Sequence, residues 1–500
     1  MAGFLLAAFP GIFATYIFAL ALLQRTQSLD EPPAIDTSIP FVSPILAMIS
    51  IAISTIILNT NNGHWPMYTL RLPFIRLDVR HVRTISFAPV LVRMASAVMG
   101  VSPDAAKIIS ENHPSDDGFV HGMTSAIRPT LSPGPKLNLL NRNAVQTIAT
   151  SLDKVARTKT TLRLNLVEWV YHQVMIATTD GVYGPQNPFR DPVIQKAFFT
   201  YERGSFHVRK SVQARNILGH AFRRYFDEAG HDDPEPPALI KAKHDFFSAR
   251  GIANADIARI EVTGTLALLS NTMPATFWLI YHLYSDTELL NACRAELEQA
   301  IQESDGTHLI DMACVKNGCP LLFSTFQEVL RCYGIGISTR MVLEDTGLDH
   351  QFLVRKGGMV FIPGAGHHHL RSVWGENADE FSARRFLQNT GKLGRGYDPV
   401  AFRAFGGGST LCPGRHFAAT EILAFASFIV LRFDAKPSGG RWVPPTTEKT
   451  ALGTTIRQPD YGIMVELRAR DDHKWAVRFS EADQPMHISA EDISSTQENM

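Results

Sequence analysis

A glycine-rich segment that leads from a phenylalanine to a single cysteine constrains this chain more than any other feature. Residues 405–414 read FGGGSTLCPG and are followed by an apolar, helix-like run. Glycines let the backbone bend sharply around a sulfur atom and approach a flat ligand closely. The N–H groups and the dipole of the following helix lower the pKa of a thiol and favour the thiolate. The segment therefore predicts that Cys412 is a thiolate at a helix N-terminus, which suits a haem iron.

A buried structural cysteine beside a turn is the alternative, because most free cysteines are buried for packing alone. The spacing Phe-x-x-Gly-x-x-x-Cys-x-Gly, which sets Phe405, Gly408 and Gly414 around Cys412, argues against it. With the chain's composition this spacing occurs by chance about once in a thousand chains. In this segment the chain resembles the cytochrome P450 family. The resemblance implies haem b (iron protoporphyrin IX) as cofactor, with Cys412 as its iron ligand and the neighbouring Phe and Gly residues around it.

Two further segments resemble this family and follow in the expected order. Residues 328–331 read EVLR, like the family's Glu-x-x-Arg motif, and residues 381–386 read FSARRF, like its later arginine segment. Glu328 and Arg331 lie three residues apart, so on a helix they share a face and can pair. Taken alone, they could equally form a solvated surface pair of little energetic weight. The resemblance implies that both residues join Arg385 in a buried network that supports the haem loop.

Contacts to the haem propionates are marked less clearly. Arg340 occupies a position where the family often has an arginine on a propionate, and a guanidinium suits that bidentate contact. Taken alone, Arg340 would be an ordinary exposed arginine. The family's Trp-x-x-x-Arg motif is absent from residues 118–145. His121 and Arg128 are therefore the candidates for the remaining propionate contact.

The uncharged run from Val262 to Ser285 predicts a buried central helix, because several polar residues make it too polar for a membrane span. In the family this helix carries an acid–alcohol pair that relays protons to bound dioxygen, and the present chain has Asn271 and Thr272 there. An amide cannot deliver a proton as a carboxylic acid does, but it can position water. We predict an oxygen-side catalytic role for both residues. The alternative is that they only satisfy local groups where Pro274 disrupts the helix.

The string NTMPATFW, which begins at Asn271, resembles the branch of the family that holds the sterol 7α-hydroxylases and prostacyclin synthase. Thr410 resembles the hydroxylase side of that branch, and segments such as NPF at 187–189 are similar to its fungal members. The resemblance implies a monooxygenase that oxidises a lipophilic sterol or terpenoid-like substrate with O2. Its electrons would come from NADPH through NADPH-cytochrome P450 reductase.

Two other functions stay open. The branch also contains enzymes that rearrange peroxides, and the missing acid at Asn271 favours a reductase-independent isomerase or dehydratase that acts on a peroxide. A haem-binding sensor or carrier without catalysis is the third function. Thiolate ligation argues against it, because such ligation chiefly serves O–O cleavage.

The N-terminus predicts a membrane anchor. Residues Gly3 to Leu23 carry no charge, and as a helix they would be about 31 Å long, the thickness of a bilayer core. No basic segment precedes them, which favours an uncleaved anchor over a cleaved secretory signal. The run from Ile45 to Leu58 is short for a span and predicts a buried or interfacial helix, with a re-entrant contact as the alternative. By resemblance, the catalytic domain would face the cytosol from the endoplasmic reticulum membrane.

The remaining features set the fold class and the domain limits. The resemblance implies the cytochrome P450 fold, which is mainly α-helical with a small β region. We predict that residues 1–25 form the anchor, residues 26–480 the catalytic domain and residues 481–500 a disordered tail. Early strands are predicted at Met67–Leu72 and Val79–Ile85.

Composition and spacing exclude several other classes of protein. Lys plus Arg equals Asp plus Glu at 48 each, which argues against a general nucleic-acid binder. Five cysteines without Cys-x-x-Cys spacing argue against a disulfide framework or a zinc site. Adjacent histidines cannot all face one ion, so residues 367–369 are predicted to be structural. Apolar spacing of three and four predicts a largely helical region over residues 140–300.

Overall fold

The computed structural model describes Glu31 together with the following residues: 68–72, 75–79, 99–110, 119–204, 208–232, 238–348, 351–387, 397, 399–450, 454–480 and 486–492. The chain divides into two compact units, residues 1–87 with 338–363 and residues 88–337 with 364–500. The predicted anchor and the run from Ile45 to Leu58 lie outside the described residues. Within the described part of the chain, none of the helices combines the length and apolar character that a membrane crossing requires.

Strands form four small sheets in the described chain. In order they are β1 Tyr68–Leu72, β2 Ile75–Val79, β3 Leu162–Asn165, β4 Ile301–Ser304, β5 Thr307–Asp311, β6 Ile337–Met341, β7 Thr346–Leu348, β8 Phe352–Val354, β9 Met359–Pro363, β10 Phe433–Pro437, β11 Met464–Ala469 and β12 Lys474–Arg478. The first predicted strand is confirmed by β1. Of the second, only Val79 at the end of β2 lies within the described residues.

The smaller unit is a β structure. Its main sheet has the order β1-β2-β9-β6, with β1 antiparallel and β9 parallel to β2, and β7 pairs with β8 in a separate hairpin. Val342, Val354, Val360 and Ile362 form its buried apolar cluster. The sheets of the larger unit have the orders β10-β11-β3 and β12-β5-β4.

Helices build the larger unit, and the predicted helical region from 140 to 300 is confirmed. In order they are α1 Pro103–Ser110, α2 Phe119–Leu131, α3 Pro135–Arg157, α4 Leu166–Tyr183, α5 Pro192–Arg203, α6 Arg209–Asp227, α7 Ala238–Ser248, α8 Asn254–Leu269, α9 Thr272–Ser285, α10 Thr287–Glu298, α11 Met312–Gly318, α12 Pro320–Tyr333, α13 Gly364–His368, α14 Arg371–Trp374 and α15 Arg415–Arg432. The fold is therefore mainly α-helical with a small β region, as predicted.

The core of the larger unit surrounds α15, the helix that follows Cys412. Every residue from Ala419 to Arg432 is buried, and the helix packs on α3, α9, α10 and α11. A helix that is buried on all sides belongs at the centre of a domain. The N-terminus of α15, and with it the cysteine loop, is therefore held by the most constrained element of the unit.

The predicted single central helix is wrong in one respect, because it breaks into α8 and α9 at Ser270 and Asn271. Pro274 explains the break. A proline has no N–H to donate to the carbonyl four residues earlier, here that of Ser270, and its ring crowds that carbonyl. The break lies at the pair predicted to serve on the oxygen side.

Part of the predicted disordered tail is also folded. In residues 486–492, Met486 and Ile488 are buried and Asp492 pairs with Arg415 at the start of α15. Two apolar anchors and a buried charge pair offset the ordering cost that the polar composition suggested. The other domain limits stay predictions.

One buried carboxyl joins α15 to α4. Thr178 Oγ1 donates to Glu421 Oε1 at 2.7 Å, and Glu421 Oε2 has no hydrogen-bond partner among the described residues. Burial raises the pKa of Glu421 to about 8, although the bond from Thr178 opposes the rise. The side chain is therefore neutral at pH 7, as full burial without a cation requires.

Glu421→Gln should weaken the dependence of the free energy of unfolding on pH. Because the pKa of Glu421 is raised in the folded state but ordinary in the unfolded chain, its contribution is complete below about pH 4.5 and falls as the pH rises towards 8, by a few kcal/mol. The glutamine variant should lack this decline. Urea unfolding followed by circular dichroism at pH 5, 6.5 and 8 measures it.

The exposed Glu466 offers the matched control, Glu466→Gln. Equal pH dependence in Glu421→Gln and the wild type would contradict the assignment of a neutral buried Glu421.

Candidate functional site

The cysteine loop has the closed shape that its sequence predicts. The N–H of Cys412 donates to the carbonyl of Phe405 at 2.9 Å, which closes the loop. Gly406 and Gly408 have φ values of +78° and +59°, in the left-handed region that strongly favours glycine. Gly414 is the N-cap of α15, and its N–H donates to the Cys412 sulfur. A helix N-terminus thus points directly at the thiol.

Opposing effects act on the pKa of the Cys412 thiol, and a bound cation would favour the thiolate. Burial raises the pKa of Cys412, whereas the N–H of Gly414 and the charge of Arg415 lower it. Arg415 Nη1 also donates to the Cys412 carbonyl at 3.2 Å. In the described chain no group of three or more His, Cys, Asp or Glu side chains could hold an ion. A single thiol at a helix N-terminus has the donor chemistry that a haem iron takes from a protein.

A buried carboxylate between two arginines supports this loop. Glu328 and Arg331 on α12 are fully buried, and Arg331 Nε donates to Glu328 Oε2 at 2.7 Å and Nη2 to Oε1 at 2.9 Å. Arg385 Nε donates to the same two oxygens at 3.0 and 3.2 Å. The N–H of Ser382 adds a bond of 2.8 Å to Oε1. The predicted network of Glu328, Arg331 and Arg385 is present in the structure.

The two arginines of the network also donate to main-chain carbonyls between residues 368 and 380. Arg331 donates to the carbonyls of His368, Ala378 and Glu380 at 2.5, 2.7 and 3.1 Å. Arg385 donates to two further carbonyls, those of Trp374 and Asn377, and shares the carbonyl of Glu380 with Arg331. Two guanidinium groups with one carboxylate leave one excess positive charge, and these carbonyl dipoles solvate it.

His368 connects the Glu328 network to the residues before the cysteine loop through hydrogen bonds. The N–H of Arg403 donates to His368 Nε2 at 3.0 Å, so the ring accepts at that nitrogen and is neutral. Burial first, and then the charge of Arg331, lower the pKa of His368 to about 3. Arg403 lies two residues before Phe405. The structural role predicted for the histidine segment is therefore visible in His368, which connects the Glu328 network to the loop.

Aromatic contacts and hydrogen bonds join α9, the second part of the central helix, to α12, the helix that carries Glu328. Trp278 on α9 stacks on Tyr333 at the end of α12, with ring centroids 4.0 Å apart. His282 Nε2 lies 2.9 Å from the Tyr333 hydroxyl, and its ring stacks on Phe381 at 3.5 Å. Trp278 Nε1 also donates to the carbonyl of Arg457 at 2.8 Å. The two helices that carry the predicted site residues therefore form one packed support.

Asn271 and Thr272 each make a side-chain hydrogen bond, one to a distant segment and one within the helix region. The N–H of Thr455 donates to Asn271 Oδ1 at 2.7 Å, and Thr272 Oγ1 donates to the carbonyl of Leu268 at 3.0 Å. The local role that formed the alternative is thus present for Thr272, whereas Asn271 binds a residue that is distant in sequence. The Asn271 amide N–H groups and the Thr272 lone pairs remain as further bonding capacity. The oxygen-side catalytic role stays a prediction.

Sequence reasoning missed a buried carboxyl next to this pair. Glu202 on α5 accepts from Gln458 Nε2 at 3.0 Å, and both side chains are buried. Burial raises the pKa of Glu202, and Ser270 and Arg203 partly oppose the rise. Ser270 directly precedes Asn271. No sequence signal marks the pairing, because 68 residues separate Glu202 from Ser270 and only the packing of α5 brings them together.

The predicted propionate contacts stay predictions. Arg340 lies in β6 of the smaller unit, where it is buried, and its Nη1 donates to the carbonyl of Thr339 at 2.9 Å. It is thus not the exposed arginine of the alternative. His121 and Arg128 lie on α2 with exposed side chains.

A cysteine at a helix N-terminus, on a closed glycine loop tied to a buried Glu–Arg network, defines a haem-thiolate protein. When bound, the haem would supply a redox-active iron that activates dioxygen, and Cys412 is the residue that would hold it. The model of the family "Cytochrome P450" matches residues 253–464.

Curated relatives agree with this class. The chain is 32% identical to "Cytochrome P450 monooxygenase nodJ" of Hypoxylon pulicicidum, over 91% of this chain and 93% of the relative. It is 25% identical to a "Cytochrome P450 monooxygenase" of Gibberella zeae, over 86% and 87%. It is 27% identical to "Cholesterol 7-alpha-monooxygenase" of Cricetulus griseus, over 38% and 40%. The chain belongs to the cytochrome P450 family and is a monooxygenase of that family.

Glu328→Gln should destabilise the protein by roughly 3–5 kcal/mol, because it leaves two buried guanidinium groups without their carboxylate. We also expect most of the purified variant to lack haem, since the network holds the approach to the cysteine loop. Urea unfolding and the ratio of haem to protein measure the two effects.

Glu380→Gln is the matched control, since only the main-chain carbonyl of Glu380 joins the network and its side chain is exposed. Wild-type stability and haem content in Glu328→Gln would show that the network does not support the site.

Proposed function

We propose that this monooxygenase hydroxylates or otherwise oxidises a lipophilic sterol or terpenoid-like substrate, with O2 and with electrons from NADPH delivered by NADPH-cytochrome P450 reductase. The observation that carries the proposal is the geometry at Cys412. The thiol accepts a hydrogen bond from the N–H of Gly414, and its loop is linked to the buried Glu328 network. The likeness to a relative named for cholesterol 7α-oxidation supports the sterol class.

Proton supply on the oxygen side also supports oxidation. Asn271 is not an acid, but Glu202 lies beside Ser270 with a raised pKa caused by burial. Burial favours the protonated form of such a carboxyl, so Glu202 is a candidate proton donor. The break at Ser270 and Asn271 releases main-chain polar groups that a regular helix would bond internally. A proton path from Glu202 through these groups to Thr272 would therefore be short.

A reductase-independent isomerase or dehydratase that acts on a peroxide is the second candidate. The specific observation in its favour is that Asn271 is an amide rather than an acid and that its Oδ1 already accepts from the Thr455 N–H. Such an enzyme needs no external electrons and no proton delivery to dioxygen.

For location, we propose a single-pass protein of the endoplasmic reticulum membrane whose catalytic domain faces the cytosol. The uncharged residues 3–23 support an anchor of the required length. A membrane anchor would place the enzyme beside a membrane-bound reductase and in contact with lipophilic substrates dissolved in the bilayer.

Cys412→Ser should abolish the red-shifted Soret band of the reduced carbon-monoxide complex, because an alcohol is a poor substitute for the thiolate. The reduced carbon-monoxide difference spectrum of both proteins measures this. Cys314→Ser, at an exposed cysteine, is the control and should keep the band. A wild-type spectrum in Cys412→Ser would exclude Cys412 as the iron ligand.

Product formation should require O2, NADPH and reductase together. Microsomes that contain the protein with its reductase would be incubated with a panel of sterols and terpenoids, and the products analysed by mass spectrometry. Omission of reductase or of O2 should remove the oxidised product. Turnover of a lipid hydroperoxide without reductase, with no product from the panel, would instead identify the isomerase.

A further inference from the structure

The short segment 486–492 lies against the cysteine loop. Arg415 at the start of α15 binds the Asp492 carboxylate through Nε, at 3.1 Å from both oxygens, and through Nη2, at 2.5 Å from Oδ1. His416 Nε2 lies 3.6 Å from the same oxygen. The Arg415 and Asp492 side chains are only 17% and 8% exposed. This is a partly buried, fork-shaped ion pair, the geometry in which such pairs hold their partners well.

Asp492 is itself held in place for this contact. Ser489 Oγ donates to Asp492 Oδ2 at 2.9 Å and accepts from the Asp492 N–H at 3.2 Å. The N–H of Ile488 donates to Oδ2 at 3.3 Å. Burial would raise the pKa of Asp492, but His416 and Arg415 outweigh it and hold the pKa far below its usual range. The carboxylate is therefore charged and preorganised.

Glu491 contacts the loop at a second point. The N–H of Gly408, in the middle of the loop, donates to Glu491 Oε1 at 2.6 Å. The Arg403 guanidinium also faces Glu491, whose charge opposes the burial that lowers the pKa of Arg403. A Cβ on Gly407 would lie 2.8 Å from Arg403 Nη2 and 3.2 Å from Glu491 Oε1, so the segment fits closely on the glycine backbone.

The two contacts stand on either side of the cysteine. Gly408 precedes Cys412 by four residues and Arg415 follows it by three. Because Arg415 Nη1 donates to the Cys412 carbonyl, the position of Asp492 is passed directly to the cysteine main chain. We propose that residues 486–492 form a clamp on the haem-thiolate loop, in which Glu491 and Asp492 are positioning residues that keep Cys412 in its ligating geometry.

If residues 486–492 clamp the loop, their loss should affect the Cys412 thiolate as well as the stability of the protein. Without the clamp, Arg415 loses its anchor and the Gly408 N–H loses its acceptor, so the loop could relax and would hold Cys412 less firmly as the thiolate ligand of a bound haem. The reduced carbon-monoxide complex reports this directly, because its Soret band moves when the thiolate is lost. This readout needs no substrate and no reductase, so it is independent of the proposed sterol oxidation.

The experiment compares two shortened chains and three point variants. A chain that ends at Pro485 lacks the clamp, and a chain that ends at Ser495 keeps it and serves as the matched control. Asp492→Asn and Glu491→Gln each remove one charge with little change of shape, and Asp492→Glu restores the charge of the first. The measurements are the rate at which the thiolate carbon-monoxide complex converts to its thiol form, the reduction potential of the haem and the midpoint of urea unfolding.

We expect the chain ending at Pro485 and Asp492→Asn to lose the thiolate form about tenfold faster than the wild type, as for the loss of a charge-assisted hydrogen bond. Glu491→Gln should show a smaller acceleration. The chain ending at Ser495 and Asp492→Glu should remain close to the wild type, and the acceleration in Asp492→Asn should exceed what its lower unfolding midpoint accounts for.

Unchanged conversion rate and potential in Asp492→Asn and Glu491→Gln would overturn the proposal. So would a conversion rate that changes only in proportion to the unfolding midpoint, because this would show a structural role alone. If the chain ending at Pro485 fails to fold, the point variants decide by the same criteria.

Discussion

The carboxylate of Glu328 neutralises a buried guanidinium group on its own helix and shares its oxygens with a second one, and the order of the whole site depends on this arrangement. Three charges without solvent are stable only if every remaining N–H finds an acceptor. The chain meets that requirement with main-chain carbonyls from residues 368 and 374–380. The segment that follows α14 has little regular structure, and these bonds fix it where a helix or sheet would otherwise do so.

From this network the constraint reaches the cysteine in two steps. The carbonyl of His368 accepts from Arg331, and its ring accepts from the N–H of Arg403, which lies just before the loop. Residues 486–492 contact the loop at Gly408 and Arg415. The loop is thus supported by one segment that precedes it in sequence and one that follows it. Both supports rely on charged groups that are paired away from water, where hydrogen bonds to ions are strong.

The predicted oxygen-side region lies at a break in the central helix, between α8 and α9. Pro274 removes one helical hydrogen bond, the chain turns at Ser270 and Asn271, and the Asn271 side chain accepts from the main-chain N–H of the distant Thr455. Glu202 from α5 and Thr455 from the C-terminal region both come to this break. A helix break buried in a domain is stable only when such partners are supplied, so the break and its partners form one feature.

The sequence by itself determined the cysteine, its loop and its support. Cys412, the glycines before it and the pairing of Glu328 with Arg331 follow from spacing along a few residues, because loop closure and helix faces are local properties. Apolar periodicity predicted the helical region of residues 140–300 for the same reason, whereas the fold class came from the resemblance to the family. Local spacing could not show that Pro274 divides the central helix rather than bends it, since that outcome depends on partners elsewhere in the chain.

Only the tertiary structure decided the remaining contacts. It brought Glu202 to Ser270, His368 to Arg403 and Asp492 to Arg415, pairs that 68, 35 and 77 residues separate along the chain. The polar composition of the last twenty residues suggested disorder, because composition counts the apolar residues but not where they pack. Burial of Met486 and Ile488 and one ion pair with Arg415 gave residues 486–492 a fixed place. The reason is that the ordering of a short polar segment depends on the few contacts it makes with the rest of the chain, and sequence alone does not specify these contacts.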